Sequence, residues 1–222
     1  MHYRNCDRLL PFIDNLAHDR PLLMCCLGDS NTNNTTFTGG AKQWPELVNT
    51  ALKERFKTQK LLLVNAGVSG DTVRHVMRRL DGDALRFKPE LTVLCLGTND
   101  SKQVPDDEFY TGMNRCIDRL EQSGSLVLLR TVPPIMEKEP PPGHVWKNDV
   151  DLRAKVEATR KIAAERRLPF IDTYGIWCED ECAGRLNMPE LMYDEVHTNA
   201  AGHRKIAGEI MRAFTLNKAA VE

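Results

Sequence analysis

Several things are missing from this chain of 222 residues, and each absence narrows its function. Thirty basic residues against 31 acidic ones leave a formal net charge of −1. There is no global field to hold nucleic acid or an acidic membrane surface. No apolar run approaches the ~20 residues that span a bilayer. The first twenty residues carry Arg4, Asp7, Arg8, Asp14, Asp19 and Arg20, which interrupts any signal-peptide apolar core; the expectation is a cytoplasmic protein, with a secreted form trimmed of its signal as the alternative. The cysteines number seven, an odd count, and Cys25, Cys26 and Cys95 fall inside predicted buried strands, which argues against a disulfide framework. No Gly-x-x-x-x-Gly-Lys phosphate loop occurs, Gly67-x-x-Gly70 is too sparse for a dinucleotide fingerprint, and no mid-chain Gly-x-Ser-x-Gly marks an α/β-hydrolase elbow. No internal repeat or interdomain linker is visible.

What is present is a set of short apolar runs separated by helical periodicity. Leu22-Leu23-Met24-Cys25-Cys26-Leu27 reads as a buried strand that stops at Gly28-Asp29-Ser30-Asn31-Thr32. Further strands are expected at 61–64, 91–96, 125–130 and 169–172. Between them, apolar residues at helical spacing predict helices through Trp44–Phe56, Val73–Leu80, about 106–122, and Leu152–Ala163. Leu9, Phe12, Ile13 and Leu16 predict an N-terminal helix, and Ile206, Ala207, Ile210, Met211 and Phe214 predict a last one. Asp71 or Thr72 suits the N-cap of the helix after the second strand. Thr131 to Lys147, with Pro133, Pro134, Pro140, Pro141, Pro142 and Gly143, is expected to be a long stiff loop, and 173–196 a second irregular stretch.

Five buried strands alternating with helices predict one α/β domain over 1–222, with residues 1–20 as a helical extension. The expected architecture is a three-layer α/β/α sandwich around a five-stranded parallel, flavodoxin-like sheet of order 2-1-3-4-5. In that order a switch point lies beside the first strand, where Ser30 emerges at the mouth of the ligand crevice.

Asp194-Glu195-Val196-His197 gives a carboxylate and an imidazole that can meet on one turn. The carboxylate can fix the tautomer and leave the other ring nitrogen as a base for a serine hydroxyl. An ester's developing oxyanion needs donors, which the Gly70 N–H and the Asn99 amide can supply. Each residue also has a plainer reading: Ser30 and Asn99 as helix caps, Gly70 as a turn glycine, His197 as a surface residue beside the last helix. All four coinciding at successive strand ends favours the chemical reading. Cys178, Cys182, His197 and His203 could suggest zinc, but the cysteine spacing is unusual and His197 has a better role, so no metal is expected. No cofactor is expected either. Arg78-Arg79 and Arg166-Arg167 read as solvated helix faces.

These same residues resemble the four blocks of the SGNH (GDSL-type) hydrolases: Gly28-Asp29-Ser30, Gly70 in Ser-Gly-Asp-Thr, Gly97-Thr98-Asn99-Asp100, and Asp194-Glu195-Val196-His197. The blocks run in family order from residue 22 to about 210. Asn31 stands where the family has leucine. The resemblance implies the three-layer fold, Ser30 as nucleophile, His197 as base and then acid, and Asp194 as its orienting partner. It implies an oxyanion hole of Ser30 N–H, Gly70 N–H and Asn99 Nδ2. Family members are esterases, lysophospholipases, thioesterases and carbohydrate O-deacetylases.

Selectivity then falls to the loops 31–40, 131–147 and 173–193. The first is polar, with Phe37 its only large apolar group. Asp29, Asn31, Trp146, Trp177 and Tyr193, with Tyr174, are candidates for substrate contact. No long apolar loop is available for a fatty chain. The expected substrate is a small-molecule ester with a short, above all acetyl, acyl group, carbohydrate O-acetyl groups included. The alternatives are a lysophospholipase or thioesterase of the same family and, from another class, a non-catalytic flavodoxin-like binding module.

Overall fold

A computed structural model of the chain describes residues 2–136 and 152–216. Its centre is strand β2 (Leu22–Gly28), whose run of apolar residues is buried on both faces. Met24 and Cys26 point into one apolar layer, with Phe12, Trp44, Val48, Ile206 and Phe214. Cys25 and Leu27 point into the other, with Val76, Leu80, Phe109, Ile117 and Ile162. A period of two in a strand apolar at every position requires a helical layer on each side. Helices α1 (Leu10–Ala17), α2 (Trp44–Phe56) and α9 (Ala200–Thr215) supply the first. Helices α3 (Val73–Asp83), α5 (Asp106–Gln122) and α6 (Arg153–Glu165) supply the second.

The other strands are β1 (Tyr3–Arg4), β3 (Leu61–Gly67), β4 (Leu91–Cys95), β5 (Leu126–Arg130) and β6 (Phe170–Ile171), in the order β1-β6-β5-β4-β2-β3. Apart from β1, this is the expected flavodoxin-like arrangement, with β2 parallel to both β3 and β4. The sheet has six strands rather than five. Tyr3–Arg4 pairs antiparallel with β6, so the N-terminal segment closes one sheet edge in addition to forming a helix. Two residues carry no periodicity, which is why the sequence pattern does not reveal this strand.

A second departure concerns 173–196, expected to be irregular. It holds α7 (Thr173–Cys182) and the single turn α8 (Met188–Leu191). Helix α7 buries only Thr173 and Trp177, too few for an apolar stripe to show. It is started instead by the Asp172 side chain, which accepts from Gly175 N–H at 3.1 Å. A further one-turn helix, α4 (Asp100–Gln103), follows the third block. Thr72 is the N-cap of α3, and its N–H donates to His75 Nδ1.

Buried polar groups tie α2, α7 and α9 together beneath the strand ends. Burial, with the Arg130 charge adding to it, drives the His203 imidazole down to about 4. It is therefore neutral at ordinary pH and accepts the Trp44 N–H at Nδ1, 3.2 Å away. His203 thus pins α9 to the start of α2. Trp177 Nε1 donates to Glu209 Oε1 at 2.7 Å. Burial pushes the Glu209 carboxyl up from 4.5 to about 7, against the opposing pull of Lys205, Trp177, Thr173 and Arg130.

That shift gives a test with a definite sign. The folded chain keeps a proton on Glu209 that the unfolded chain releases above about pH 4.5. The stability this contributes is complete below that pH and is lost as pH rises through about 7. Glu209→Gln keeps the acceptor for Trp177 and cannot ionise. Its unfolding free energy relative to the parent should improve by up to about 3 kcal/mol between pH 5 and pH 8. Urea unfolding at both values checks this, and a constant offset between the two proteins contradicts it.

Candidate active site

The switch point lies between β2 and β4, where Gly28 stands opposite both Gly67 of β3 and Cys95 of β4. A side chain at Gly28 would bring a Cβ to 2.2 Å from Thr32 Oγ1 and 2.7 Å from the Cys95 carbonyl oxygen. Only glycine lets the chain fold back this closely over its neighbours. The turn that follows is tight: the Asp29 carbonyl accepts from Thr32 N–H at 2.9 Å and Asn33 N–H at 3.2 Å. Ser30 sits at its apex, 4% exposed. It caps no helix, since the next one begins at Trp44.

The second element is built just as locally. Asp194 Oδ1 accepts from Val196 N–H at 2.8 Å and His197 N–H at 2.7 Å. The His197 carbonyl accepts from Tyr193 N–H at 2.8 Å. A bridge between Met192 and Thr198 closes the base of this turn, and Asn199 caps α9 immediately afterwards. The three-residue spacing of Asp194 and His197 thereby places their side chains together, with His197 Nδ1 at 2.8 and 3.0 Å from the two carboxylate oxygens.

Ser30 and His197 lie 167 positions apart in sequence, yet Ser30 Oγ is 3.1 Å from His197 Nε2. Burial works to raise the Asp194 carboxyl, but the His197 ring and the Val196 and His197 amides outweigh it. The carboxyl lies below its ordinary range and stays ionised. With a carboxylate at Nδ1, the proton of a neutral ring sits there, and the Nε2 lone pair faces the serine hydroxyl. Such an arrangement can withdraw the serine proton during attack on a carbonyl carbon.

The other two blocks border the same place. Gly70 has φ +83°, in a turn closed by Asp71 N–H on the Val68 carbonyl, a conformation that favours glycine. Among the described residues, neither Ser30 N–H nor Gly70 N–H donates a hydrogen bond. Asn99 precedes α4 but makes no side-chain cap bond. Its Nδ2 donates instead to the Asp71 carbonyl at 3.0 Å, which fixes the amide plane and leaves its second N–H. Asp100, fully buried, accepts from Val73 N–H at 2.8 Å and so joins the third block to the start of α3. Burial pushes its carboxyl up to about 6.

Several residues expected to meet substrate have other partners. Asp29 is fully buried, and its Oδ1 accepts from Asn31 N–H at 2.9 Å. Burial raises its carboxyl above the ordinary range, opposed by that N–H, by Arg130 and by His197. Asn31, 2% exposed, spans the two halves of the site. Its Oδ1 lies 3.2 Å from Thr198 N and 3.3 Å from Thr198 Oγ1, and its Nδ2 donates to the Val196 carbonyl at 3.4 Å. Leucine could make none of these bonds, so Asn31 couples the serine turn to the histidine turn rather than facing a ligand. Trp177 is fully buried in the core. Tyr174 packs at the edge of a small cluster with Cys95, Val132 and Ile135. Trp146 and most of the proline-rich stretch lie outside the described residues.

Tyr193 does stand at the rim, 59% exposed, with its ring 5.4 Å from that of Phe37. Phe37 in turn stacks on the His197 imidazole, with centroids 3.7 Å apart and planes 18° from parallel. As the one large apolar group of a polar loop, Phe37 was the available signal for this contact, but nothing local says which ring it covers. Arg79 is also misread as a solvated helix face. Its side chain is 18% exposed and pairs with Asp71 at 2.6 Å.

Residues 26–205 match the GDSL-like Lipase/Acylhydrolase family. An acetylxylan esterase of Geobacillus stearothermophilus is 28% identical over 156 residues, 68% of this chain and 70% of that protein. The alpha2 subunit of human platelet-activating factor acetylhydrolase IB is 27% identical over 149 residues, 64% of this chain and 60% of that one. Among solved structures, the acetyl xylan esterase AlAXEase superposes with a TM-score of 0.72 at 25% identity, covering 86% of this chain and 99% of that one. No helix among the described residues is long and apolar enough to cross a membrane. The family match spans the serine, glycine, asparagine and histidine blocks alike, and the chain belongs to the GDSL-like lipase/acylhydrolase family as a carboxylic ester hydrolase.

Proposed function

We propose that the chain is a serine esterase acting on short-acyl, above all acetyl, esters, with carbohydrate O-acetyl groups as the natural class. The observation that carries the mechanism is the run Asp194–His197–Ser30, with His197 Nε2 3.1 Å from Ser30 Oγ. Ser30 Oγ attacks the ester carbon as His197 Nε2 takes its proton. The oxyanion that forms is met by Ser30 N–H, Gly70 N–H and Asn99 Nδ2. Collapse breaks the acyl–oxygen bond, and His197 returns the proton to the departing alcohol. Water, activated by the same imidazole, then releases the carboxylic acid.

Two features support a short acyl group. Phe37 stacks on the His197 ring and Tyr193 lies beside Phe37, so aromatic rings border the histidine side of the site. The acetylxylan esterase and acetylhydrolase relatives are named for acetyl esters. The test is a series of p-nitrophenyl esters together with acetylated xylo-oligosaccharides. We expect kcat/KM to be highest for acetate and to fall as the acyl chain lengthens, with release of acetate from the oligosaccharides. A fluorophosphonate should label Ser30 stoichiometrically. Rates that climb with chain length overturn the short-acyl reading, and turnover without labelling of Ser30 overturns the serine mechanism.

A further inference from the structure

We propose that Arg79 is the positioning residue of the oxyanion hole, acting through Asp71 and Gly28 on all three donors at once. The inference rests on the reading of Ser30, Gly70 and Asn99 given above. Those donors lie on three separate loops, after β2, β3 and β4, and no single element carries two of them. Something must hold the three loops in register, because donors help only where they converge on the developing charge.

Arg79 reaches back from α3 to where these loops meet. Its Nε donates to Asp71 Oδ2 at 2.6 Å and its Nη2 to the Gly28 carbonyl at 3.2 Å. Its Nη1 donates to Asp83 Oδ2 at 3.0 Å, which sets the plane of the fork from within the same helix. Gly28 is two residues before Ser30, and its carbonyl also accepts from Val68 N–H at 3.1 Å, so the serine turn is tied to the Gly70 turn. Asp71 follows Gly70 directly, and its carbonyl receives the Asn99 amide at 3.0 Å. Moving Asp71 therefore moves the Gly70 N–H and the Asn99 amide together. The side chains of Arg79 and Asp71 are 18% and 9% exposed, so solvent screens the pair little. A guanidinium suits the task because it offers several donors in one rigid plane, whereas an ammonium is a single point of charge.

An ion pair that serves only stability would show itself in melting and not in the split between kcat and KM. Arg79→Lys and Arg79→Gln are the variants, assayed on p-nitrophenyl acetate well below their melting temperatures. We expect kcat to fall about 10²-fold, the loss typical of catalytic groups displaced by about 1 Å, with KM changed by less than about 3-fold. Affinity for an alkylboronic acid, which becomes a tetrahedral anion on the serine, should weaken by the same factor as kcat/KM. Added guanidinium should restore part of the kcat of Arg79→Ala. Arg74→Lys is the control. It breaks the more exposed bidentate pair that Arg74, on the same helix as Arg79, makes with Glu108 of α5 and should leave kcat within about 2-fold. A folded Arg79→Lys and Arg79→Gln with parental kcat and parental boronate affinity overturn the inference. If Arg79→Gln is unfolded at the assay temperature, Arg79→Lys, which keeps the charge and loses the fork, decides alone. A parent protein that neither hydrolyses esters nor takes the fluorophosphonate on Ser30 overturns the reading of the site itself.

Discussion

Ser30→Ala is expected to lower kcat by at least about 10³-fold while leaving the melting temperature close to that of the parent. The hydroxyl makes one described hydrogen bond, to His197 Nε2, and the turn around it is held by the Asp29 carbonyl and the Asn31 N–H on Asp29 Oδ1. Removing Oγ thus deletes the attacking atom without disturbing what shapes the loop. Residual activity should come from binding and the oxyanion donors alone, and should no longer respond to fluorophosphonate. Near-normal turnover in this variant would remove Ser30 from the mechanism, and with it the proton path to His197.

Asn99→Ala is expected to cost on the order of 10²–10³ in kcat, about 2.7–4 kcal/mol of barrier, with little change in substrate Kd. Charge on the carbonyl oxygen is small in the bound ester and large in the transition state, so a donor placed for it acts mainly on the rate. Asn99→Asp separates this role from a structural one. A carboxylate offers no donor and would repel the oxyanion. It would also face the Asp71 carbonyl, which now accepts the Asn99 amide at 3.0 Å, setting acceptor against acceptor. Both rate and melting temperature should therefore fall in the aspartate variant. If Asn99 merely capped α4, aspartate would serve as well or better. Its side chain makes no cap bond there, and a stable, active Asn99→Asp would overturn the oxyanion assignment.

The two substitutions draw on different parts of the molecule. Ser30 depends on a turn that its own neighbours build, and its partner histidine comes from a second turn of the same kind. Asn99 depends on a bond to a loop from another crossover, held in turn by Arg79. Local turn chemistry brings Asp194 to His197, but only the parallel sheet brings both to Ser30.

That division also separates what was legible in the amino-acid order from what was not. The apolar run Leu22–Leu27 is buried on both faces in any α/β sheet, and the periodicities after it place α2, α3, α5, α6 and α9 within a few residues. The first three blocks at the ends of β2, β3 and β4, and the switch point beside β2, follow from those elements and the strand order, whereas the fourth lies not at a strand end but in the turn between α8 and α9. All of this depends on short-range pattern. Partners at long range do not: β1 exists because two residues without pattern find the edge of β6, and α7 forms around an Asp172 cap with almost no apolar face. Asp29, Asn31 and Trp177 have the composition of ligand-binding groups, yet the tertiary structure turns them inward. There they bond to Asn31 N–H, to Val196 and Thr198, and to Glu209. Phe37 and Arg79 look like a loop residue and a surface cation until packing sets one against the His197 ring and the other between Asp71 and Gly28. The physical reason is the same in each case. A residue's tendency to be buried or helical is carried by its near neighbours, whereas the group that satisfies a buried polar atom is chosen only when distant segments close around it.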